Sequence, residues 1–262
     1  MIRALYSAGT GMSAQQFQLD TISNNLANAN TAGFKKSRGN FEDLTYQYLV
    51  EPGGETDENT TSPTGLYVGL GTRVVGTSRV FTQGDLISTS NPLDVAIQGD
   101  GFFGVELPDG TTAYTRAGNF ALNSEGQLVT AEGYRILGVD EIPAEATNVT
   151  ISRNGSVTYL LPGNPAPQEA GQITAYRFAN PGGLRSIGGN LLVQTAESGD
   201  PIEGEFAAEG MGSLQQGFLE SSNVSIVDEI VRMISTQKAY EAASKGILTA
   251  EEMLSLAIGL KR

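Results

Sequence analysis

The stretch MIRALYSAGTGMSAQQFQLDTISNNLANANTAG, residues 1–33, decides the fold, because its apolar residues recur at helical spacing. Four of them are spaced by sevens and others follow three positions later, namely Leu5, Met12, Leu19 and Leu26, with Ala8, Ile22 and Ala29. A narrow stripe on a largely uncharged helix suits packing against partner helices, as in a coiled coil. Gly33 permits the left-handed conformation that ends a helix. The sequence therefore predicts a long N-terminal helix.

A second helix is predicted at the other end of the chain, within residues 224–262. Ser225 with Asp228 resembles a capping box at its start. Apolar residues follow at helical spacing, first Val227, Ile230, Val231 and Ile234, then Ile247, Leu254, Ala257 and Ile258. Small residues between these two groups would let another helix approach closely. Each terminal helix should be about 50 Å long.

The part between the helices has the alternation and turns of β-structure. Phe103, Val105 and Leu107 alternate before a turn at Asp109-Gly110, and a second alternating run follows Asn154-Gly155. Two segments lack periodicity. Residues 50–65 are predicted as an exposed loop or extended arm, and residues 161–171 as an ordinary connection.

The composition excludes most kinds of catalytic and metal-binding site. The 262 residues include no Cys and no His, so thiolate nucleophiles, imidazole bases, disulfides and the usual zinc ligands are absent from the sequence. The glycine loops at Asp100 and Asp109 are interpreted as turns, since the residues after Asp100 offer no further oxygen ligands for calcium. Nothing places two carboxylates together for hydrolysis. We therefore predict a protein that is not an enzyme, with no catalytic residue, no cofactor and no metal site.

The charge distribution limits the classes of partner that the chain can bind. The formal net charge of the chain is -13. Residues 39–222 alone carry about -16, because residues 1–38 are net basic and residues 223–262 hold equal numbers of basic and acidic side chains. Such a body repels nucleic acid and anionic membranes, although an acidic surface also simply favours solubility. The opening lacks the apolar run of a secretory signal, and no stretch reaches the roughly 18 apolar residues of a spanning helix. We expect no nucleic-acid binding, no Sec export and no membrane insertion.

The predicted fold class is α+β, with the terminal helices pairing as a coiled-coil domain around a central β-rich domain. Residues 1–34 and 224–262 would form the helical domain, 35–71 and 211–223 the connecting segments, and 72–210 the β-rich outer domain. Two long helices outside the main domain can bury their stripes against each other, against the sheet, or against other copies. Since a thin-striped helix of this length is marginal alone, folding coupled to assembly is the natural hypothesis.

Several motifs resemble a known family, the flagellar rod and hook proteins. SNNLANANTAGFK at residues 23–35 is similar to the N-terminal signature of that family, and SSNVSIVDEIVRMISTQKAYEAASKGILTAEEML at residues 221–254 to its C-terminal segment. DVAIQGDGFFGV at 94–105 and YTRAGNFALNSEGQLVTAEGY at 114–134 resemble its core domain. The matches span nearly the whole chain in the expected order. One departure is Ala242-Ala243, where the family usually has a polar Asn before Ser244-Lys245.

The Asn-rich motif at residues 23–35 can also be interpreted from the chemistry of its side chains. Its Asn side chains are poor interior helix formers but can bond backbone groups across an interface. The motif residues singled out are Asn24, Asn25, Asn28, Asn30, Gly33 and Phe34. An ordinary helix end with polar decoration is the alternative interpretation.

The length of the chain and the segment YQYLVEPGGETDENTTSPTG at 46–65 resemble the distal-rod group within the family. The resemblance implies that this insert fills space between neighbouring subunits and keeps the polymer straight, and the residues assigned to that role are Tyr46, Pro52, Gly53, Pro63 and Gly65.

The resemblance further implies a structural subunit of a rigid, hollow driveshaft that crosses the periplasm and cell wall and passes torque from the motor to the hook. The implied partners are identical subunits, proximal-rod and hook proteins, the flagellar type III export apparatus and, where an outer membrane is present, the surrounding ring proteins. The alternatives are another axial protein of the family, from the proximal rod or the hook, and a secreted glycan-acting or adhesive protein.

Overall fold

The structure is a computed structural model that describes residues 2–53, 55–57, 60–61, 64–208 and 210–259. A helix lies near each end, α1 at Ile2–Ala27 and α2 at Ile226–Gly259, and strands occupy the part between them. The predicted α+β class, with terminal helices and a β-rich middle, is confirmed. In the described part of the chain, neither helix is long and apolar enough to cross a membrane.

The chain divides into two compact units. Unit 1 comprises Met1–Ala27, Ser37–Ser78 and Ser225–Arg262, and unit 2 comprises Asn28–Lys36 and Arg79–Val224. Most of the predicted connecting segment 35–71 therefore belongs to the same unit as the helices, and residues 211–223 belong to the β-rich unit.

In its described residues, unit 1 contains the two helices and six short strands. The strands are β1 Ser37–Asp43, β2 Tyr46–Val50, β3 Glu55–Asp57, β4 Thr60–Thr61, β5 Leu66–Gly69 and β6 Thr72–Arg79. They form three two-stranded ribbons, β1 with β6, β2 with β5 and β3 with β4. The helices pack against each other, and they run antiparallel, since Asn25 near the end of α1 bonds Glu229 in the first turn of α2.

The interior of unit 1 is small. Its buried apolar side chains, among the described residues, are Ala14, Ile22 and Ala250. The other buried side chains are polar or charged: Thr21, Asn25, Glu229 and Thr236. A unit with so little apolar interior gains little of the burial energy that normally stabilises a fold.

The helix α1 is shorter than predicted. It ends at Ala27, six residues before Gly33, and turns occupy residues 28–33. Thr31 donates its amide to the carbonyl of Asn28 and its hydroxyl to the Asn28 side chain, both at 3.2 Å. Such local bonds compete with the helical ladder, which is the reason that the Asn-rich stretch leaves the helix early.

Unit 2 is built on one large sheet. Its strands are β7 Leu86–Ser88, β8 Val95–Gln98, β9 Phe102–Glu106, β10 Thr112–Thr115, β11 Ala121–Leu122, β12 Leu128–Val129, β13 Arg135–Ile136, β14 Thr147–Ile151, β15 Ser156–Leu161, β16 Asn164–Gln172, β17 Ala175–Arg177, β18 Arg185–Gly188, β19 Leu191–Val193, β20 Ile202–Gly204, β21 Ser213–Gln216 and β22 Phe218–Glu220. The sheet has the order β11-β12-β13-β9-β10-β19-β18, with β17 on β9 and β20 on β17. A three-stranded sheet, β14-β15-β16, and the pairs β8-β21 and β7-β22 complete the unit.

The core of unit 2 surrounds strand β9. Phe103 and Val105 are fully buried in the main cluster, and Phe102 lies in a second cluster with Tyr114 and Phe178. The ring of Phe103 meets Phe120 at 5.0 Å and Phe206 at 5.8 Å between centroids. Because neighbouring residues of a strand point to opposite faces, apolar groups cover β9 on both sides.

The predicted turns at Asp109-Gly110 and Asn154-Gly155 are both present. Gly110 and Gly155 have φ of 79° and 92°, values that glycine adopts without strain. The first turn joins β9 to β10, and the second joins β14 to β15.

One of the two expectations about irregular segments needs correction. Residues 161–171 are mostly strand β16, which pairs along β15, so this run is not a simple connection; its prolines stand where the register shifts and the edge of the sheet tolerates them. Within 50–65, the described residues form paired strands, as expected for the extended arm: β2 and β5 pair from Tyr46↔Gly69 to Val50↔Leu66, and β3 pairs with β4 beyond them.

Candidate functional site

An apolar patch on the first turns of α2 is uncovered in the single chain. The residues singled out there, Val227, Ile230, Val231 and Ile234, have 42–71% of their surface exposed, and Ile226 beside them is also exposed. We call these five residues the α2 patch. Their spacing places them on one side of the helix. Contiguous exposed aliphatic residues of this kind mark interaction surfaces.

The remaining residues of the predicted assembly stripes are covered to different extents. Ile22 is buried, Ile258 is exposed, and the others are half-buried: Leu5, Met12, Leu19 and Leu26 on α1, and Ile247 and Leu254 on α2. The α1 stripe is thus partly covered inside unit 1, whereas the beginning of α2 leaves its apolar side chains exposed.

The Asn-rich motif contains one structural clip, Asn25. Its side-chain amide donates to the carbonyl of Ser37 at 2.8 Å and to Glu229 Oε2 at 3.3 Å, and its Oδ1 accepts the amide of Ser37 at 2.8 Å. Asn25 is buried, so it joins α1, β1 and α2 where water does not compete. Asn24 and Asn30 are exposed and Asn28 is half-buried.

We expect Asn25→Ala to lower the free energy of unfolding of unit 1 by about 1–3 kcal/mol, because Ser37 and the buried Glu229 would lose their partner. Urea unfolding followed by circular dichroism measures the change. Asn30→Ala is the matched control on an exposed Asn of the same motif, and it should stay within about 0.5 kcal/mol of the unaltered chain. Equal losses for the two variants would remove the role of Asn25.

Gly33 and Phe34 belong to unit 2 and are buried there. Gly33 has φ of 70°, and an added Cβ would lie 2.5 Å from the backbone nitrogen of Ala117. The amide of Gly33 donates to the carbonyl of Glu220 at 2.8 Å. Glycine is therefore required at position 33 by both backbone angle and space.

The insert begins with β2, which pairs with β5 directly after the insert, and this β2–β5 ribbon carries exposed aromatic rings. Tyr46 and Tyr67 meet edge to face at 5.4 Å, and Tyr48 lies 5.7 Å from Tyr67. Pro52 and Gly53 lie exposed beyond the ribbon, while Pro63 lies outside the described residues. An added Cβ at Gly65 would come within 2.8 Å of both Pro52 and the Val50 carbonyl. Gly65 thus lets the two segments of the arm, before and after its tip, approach each other closely.

A buried cluster of three charges in unit 2 was not predicted. Lys35 Nζ lies 2.6 Å from Glu220 Oε1, and Arg116 Nε lies 3.0 Å from Glu220 Oε2. All three side chains are almost inaccessible to solvent. Glu220 Oε1 also accepts the amide of Gly84 at 3.0 Å. One carboxylate therefore serves two buried cations and a backbone amide.

The cations of the cluster also use backbone carbonyls. Lys35 donates to the carbonyl of Thr82 at 2.7 Å, and Arg116 Nη1 donates to Gly99 and Gly101 at 2.8 and 2.7 Å. Burial lowers the pKa of the Lys35 ammonium; the charge and hydrogen bond of Glu220 oppose this shift, and the charge of Arg116 adds to it. Because the cluster holds two positive charges and one negative charge, both cations depend on Glu220.

The cluster fastens the three segments of unit 2 that adjoin the unit boundaries, residues 28–36, 79–84 and 220–224. Lys35 and Glu220 connect the first segment with the third, and Thr82 and Gly84 connect the second with both. Asn223 adds to these bonds, since its side chain accepts the amide of Lys36 at 2.8 Å and donates to the carbonyl of Val80 at 2.8 Å.

The sequence contains only a weak signal for this cluster. Lys35, Arg116 and Glu220 are far apart along the chain, and isolated charged residues are usually exposed. Lys35 and Arg116 lie in motifs that carry the family resemblance, and Glu220 directly precedes a third motif. The charges could be placed together only once the fold was known.

The glycine loops act as turns in the structure. Asp109 Oδ1 accepts the amide of Thr111 at 3.0 Å and its hydroxyl at 2.6 Å, and these bonds lower the pKa of the Asp109 carboxyl. Within the part of the chain that the structure describes, no three carboxylates come close enough to hold a metal ion.

Three stretches of the chain match protein-family descriptions. Residues 5–35 match the flagella basal body rod protein family, residues 96–159 match the D1 domain of the flagellar hook proteins FlgE/F/G, and residues 215–260 match the C-terminal region of the flagellar basal body rod FlgEFG proteins. Lys35, Arg116 and Glu220 fall one in each stretch.

Several relatives match the chain over nearly their whole length and are named flagellar basal-body rod protein FlgG. The chain is 50% identical to the flagellar basal-body rod protein FlgG of Borreliella burgdorferi, over 100% of both chains. It is 46% identical to FlgG of Caulobacter vibrioides over 97% of each chain, and 40% identical to FlgG of Bacillus subtilis over 100% of each.

Proposed function

The chain belongs to the family of flagellar basal-body rod proteins, and we propose that it polymerises through unit 1 into a straight, hollow shaft that passes torque from motor to hook. It is a structural subunit of the distal rod in the flagellar basal body. Its FlgG relatives are named flagellar basal-body rod proteins, and they match the chain over all or nearly all of their length. The proposal concerns how the subunit assembles, and it includes no catalytic step.

The observation that carries the proposal is the uncovered α2 patch on a unit with little apolar interior. Each aliphatic side chain that is fully buried contributes about 1.5–3 kcal/mol. Unit 1 leaves the five side chains of the α2 patch largely in water. Association with other copies would recover that free energy, and it would order both helices at the same time.

The arrangement that we propose follows from this. The helices α1 and α2 pair in a coiled-coil manner and line the inside of the tube, while unit 2 faces outward and the β2–β5 ribbon contacts neighbouring copies. The partners are other copies of this chain, the proximal-rod and hook proteins at the two ends, ring proteins where an outer membrane is present, and the flagellar type III export apparatus.

We expect the triple variant Val227→Gln, Val231→Gln and Ile234→Gln to be folded and to form no rods, because Gln keeps the helix and removes the apolar contact. Electron microscopy of basal bodies from flagellated cells that make the variant in place of their own subunit measures assembly. Thermal unfolding of the pure variant checks the fold.

The matched control places Gln at three exposed aliphatic residues of unit 2, Leu122, Ile187 and Ile202, which have 38–45% of their surface exposed. This variant should assemble. Rods of normal length from the α2 variant would contradict polymerisation through unit 1.

A further inference from the structure

Unit 1 contains an apolar groove between α1 and β6. Its lining includes Leu5, Gly9, Ser13 and Ala14 on α1 and Arg73 and Val74 on β6, and its volume is about 390 Å³. We call it the α1 groove. Glycine, serine and alanine on one wall leave space for the groove, and nothing lies within 4 Å of a Cβ built on Gly9.

The groove has room for side chains from another molecule. A dry cavity of about 150 Å³ holds a molecule of the size of benzene, so a groove of 390 Å³ accommodates two or three aliphatic side chains. The α2 patch presents side chains of this kind, Val227, Val231 and Ile234 among them, on one side of a helix. The two surfaces match in size and polarity.

The chain does not fill its own groove. Asn25 and Glu229 bond at 3.3 Å, so the α2 patch lies level with the end of α1, whereas the groove centres near Gly9. Fifteen or so helical residues separate these levels, which corresponds to about 22 Å. The patch of one chain can therefore reach only the groove of another.

A rod also requires two different contact surfaces. An open helical polymer forms when one patch of each copy binds a different patch of the next, while a patch that binds itself closes a dimer. The α2 patch and the α1 groove are two such surfaces of unit 1.

We propose that the α2 patch of one copy inserts into the α1 groove of the next copy. Successive contacts of this type are heterologous, and they stagger neighbouring copies by about 22 Å along the helices. The inference rests on the proposed polymerisation through unit 1 and assigns its two contact surfaces.

Introduced cysteines test the contact directly, because the natural sequence has no Cys. Val74 lines the groove, while its neighbour Val75 is exposed and does not line it. In isolated, oxidised rods, Val74→Cys with Val231→Cys should give a ladder of disulfide-linked oligomers. Val75→Cys with Val231→Cys should give at least tenfold less, since a disulfide needs Cα atoms about 4.4–6.8 Å apart.

A second pair of variants does not depend on cysteine. Gly9 and Gly11 are both helical glycines with free space around a Cβ, and only Gly9 lines the groove. Either glycine changed to Leu should stabilise α1. Gly9→Leu should nevertheless reduce the yield of rods at least tenfold, or about 1.4 kcal/mol per contact, because the side chain occupies the groove, and Gly11→Leu should not.

The outcomes separate the two proposals. Rods that form normally with Gly9→Leu, or that give equal cross-linking at positions 74 and 75, overturn the pairing of patch and groove and leave polymerisation through unit 1 intact. Assembly of the triple α2 variant with Gln at positions 227, 231 and 234 overturns polymerisation through unit 1 itself.

Discussion

Glu220→Gln should lower the free energy of unfolding of unit 2 by about 3–5 kcal/mol, the range observed when one partner of a buried ion pair is removed. The substitution keeps the shape of the side chain but leaves Lys35 and Arg116 without their shared carboxylate, which bonds them at 2.6 and 3.0 Å. Urea unfolding with probes for each unit measures the loss, since a chain with two units need not unfold in one step.

An exposed ion pair provides the matched control. Arg73 and Glu42 lie 3.0 Å apart with more than half of each side chain exposed, so Glu42→Gln should cost less than about 1 kcal/mol. A double-mutant cycle adds a second check: Lys35→Met should cost less in the Glu220→Gln chain than in the unaltered chain, because it removes an unpaired buried cation. A loss below 1 kcal/mol for Glu220→Gln would contradict the role that we give the cluster.

Deleting residues 47–64 should abolish straight rods while the subunit still folds. The deletion trims the β2–β5 ribbon at its base, where Tyr46 pairs with Gly69, and it leaves residues 65–68 as a four-residue hairpin loop, a length that hairpins commonly use. We expect bent or unassembled polymer by electron microscopy, because the arm beyond Tyr46, including the exposed ring of Tyr48, would be lost from the proposed contact with neighbouring copies.

A variant of full length separates the aromatic contacts from simple filling of space. Tyr48→Ser with Tyr67→Ser keeps the ribbon and removes two exposed rings. Straight rods from this variant would assign the effect of the deletion to the length of the arm. Straight rods from the deletion itself would contradict any role for the ribbon in straightness.

The helices were predictable from the sequence because periodic apolar residues and a cap are local signals. Their extent and packing were not. The end of α1 at Ala27 depends on bonds made by Asn28 and Thr31, and the covered positions of α2 include Glu229 and Thr236, which no apolar pattern could identify.

The candidate site was predictable to a different degree in each part. The α2 patch follows from spacing alone, and the structure places it on the surface of unit 1. Predicting the α1 groove would have required the position of Val74 relative to Gly9. Predicting the charge cluster would have required the knowledge that three residues from distant parts of the chain meet. Long-range pairing of this kind has no local signature, because the propensities of Lys35, Arg116 and Glu220 say nothing about their partners.

The shared carboxylate of Glu220 has a mechanical consequence. The segments that carry the chain across the boundaries of unit 2 are tied side by side through Lys35, Thr82, Gly84 and Asn223. A force on any one of these segments therefore also strains the hydrogen bonds of the other two. The three segments share the load, and they separate together instead of one after another.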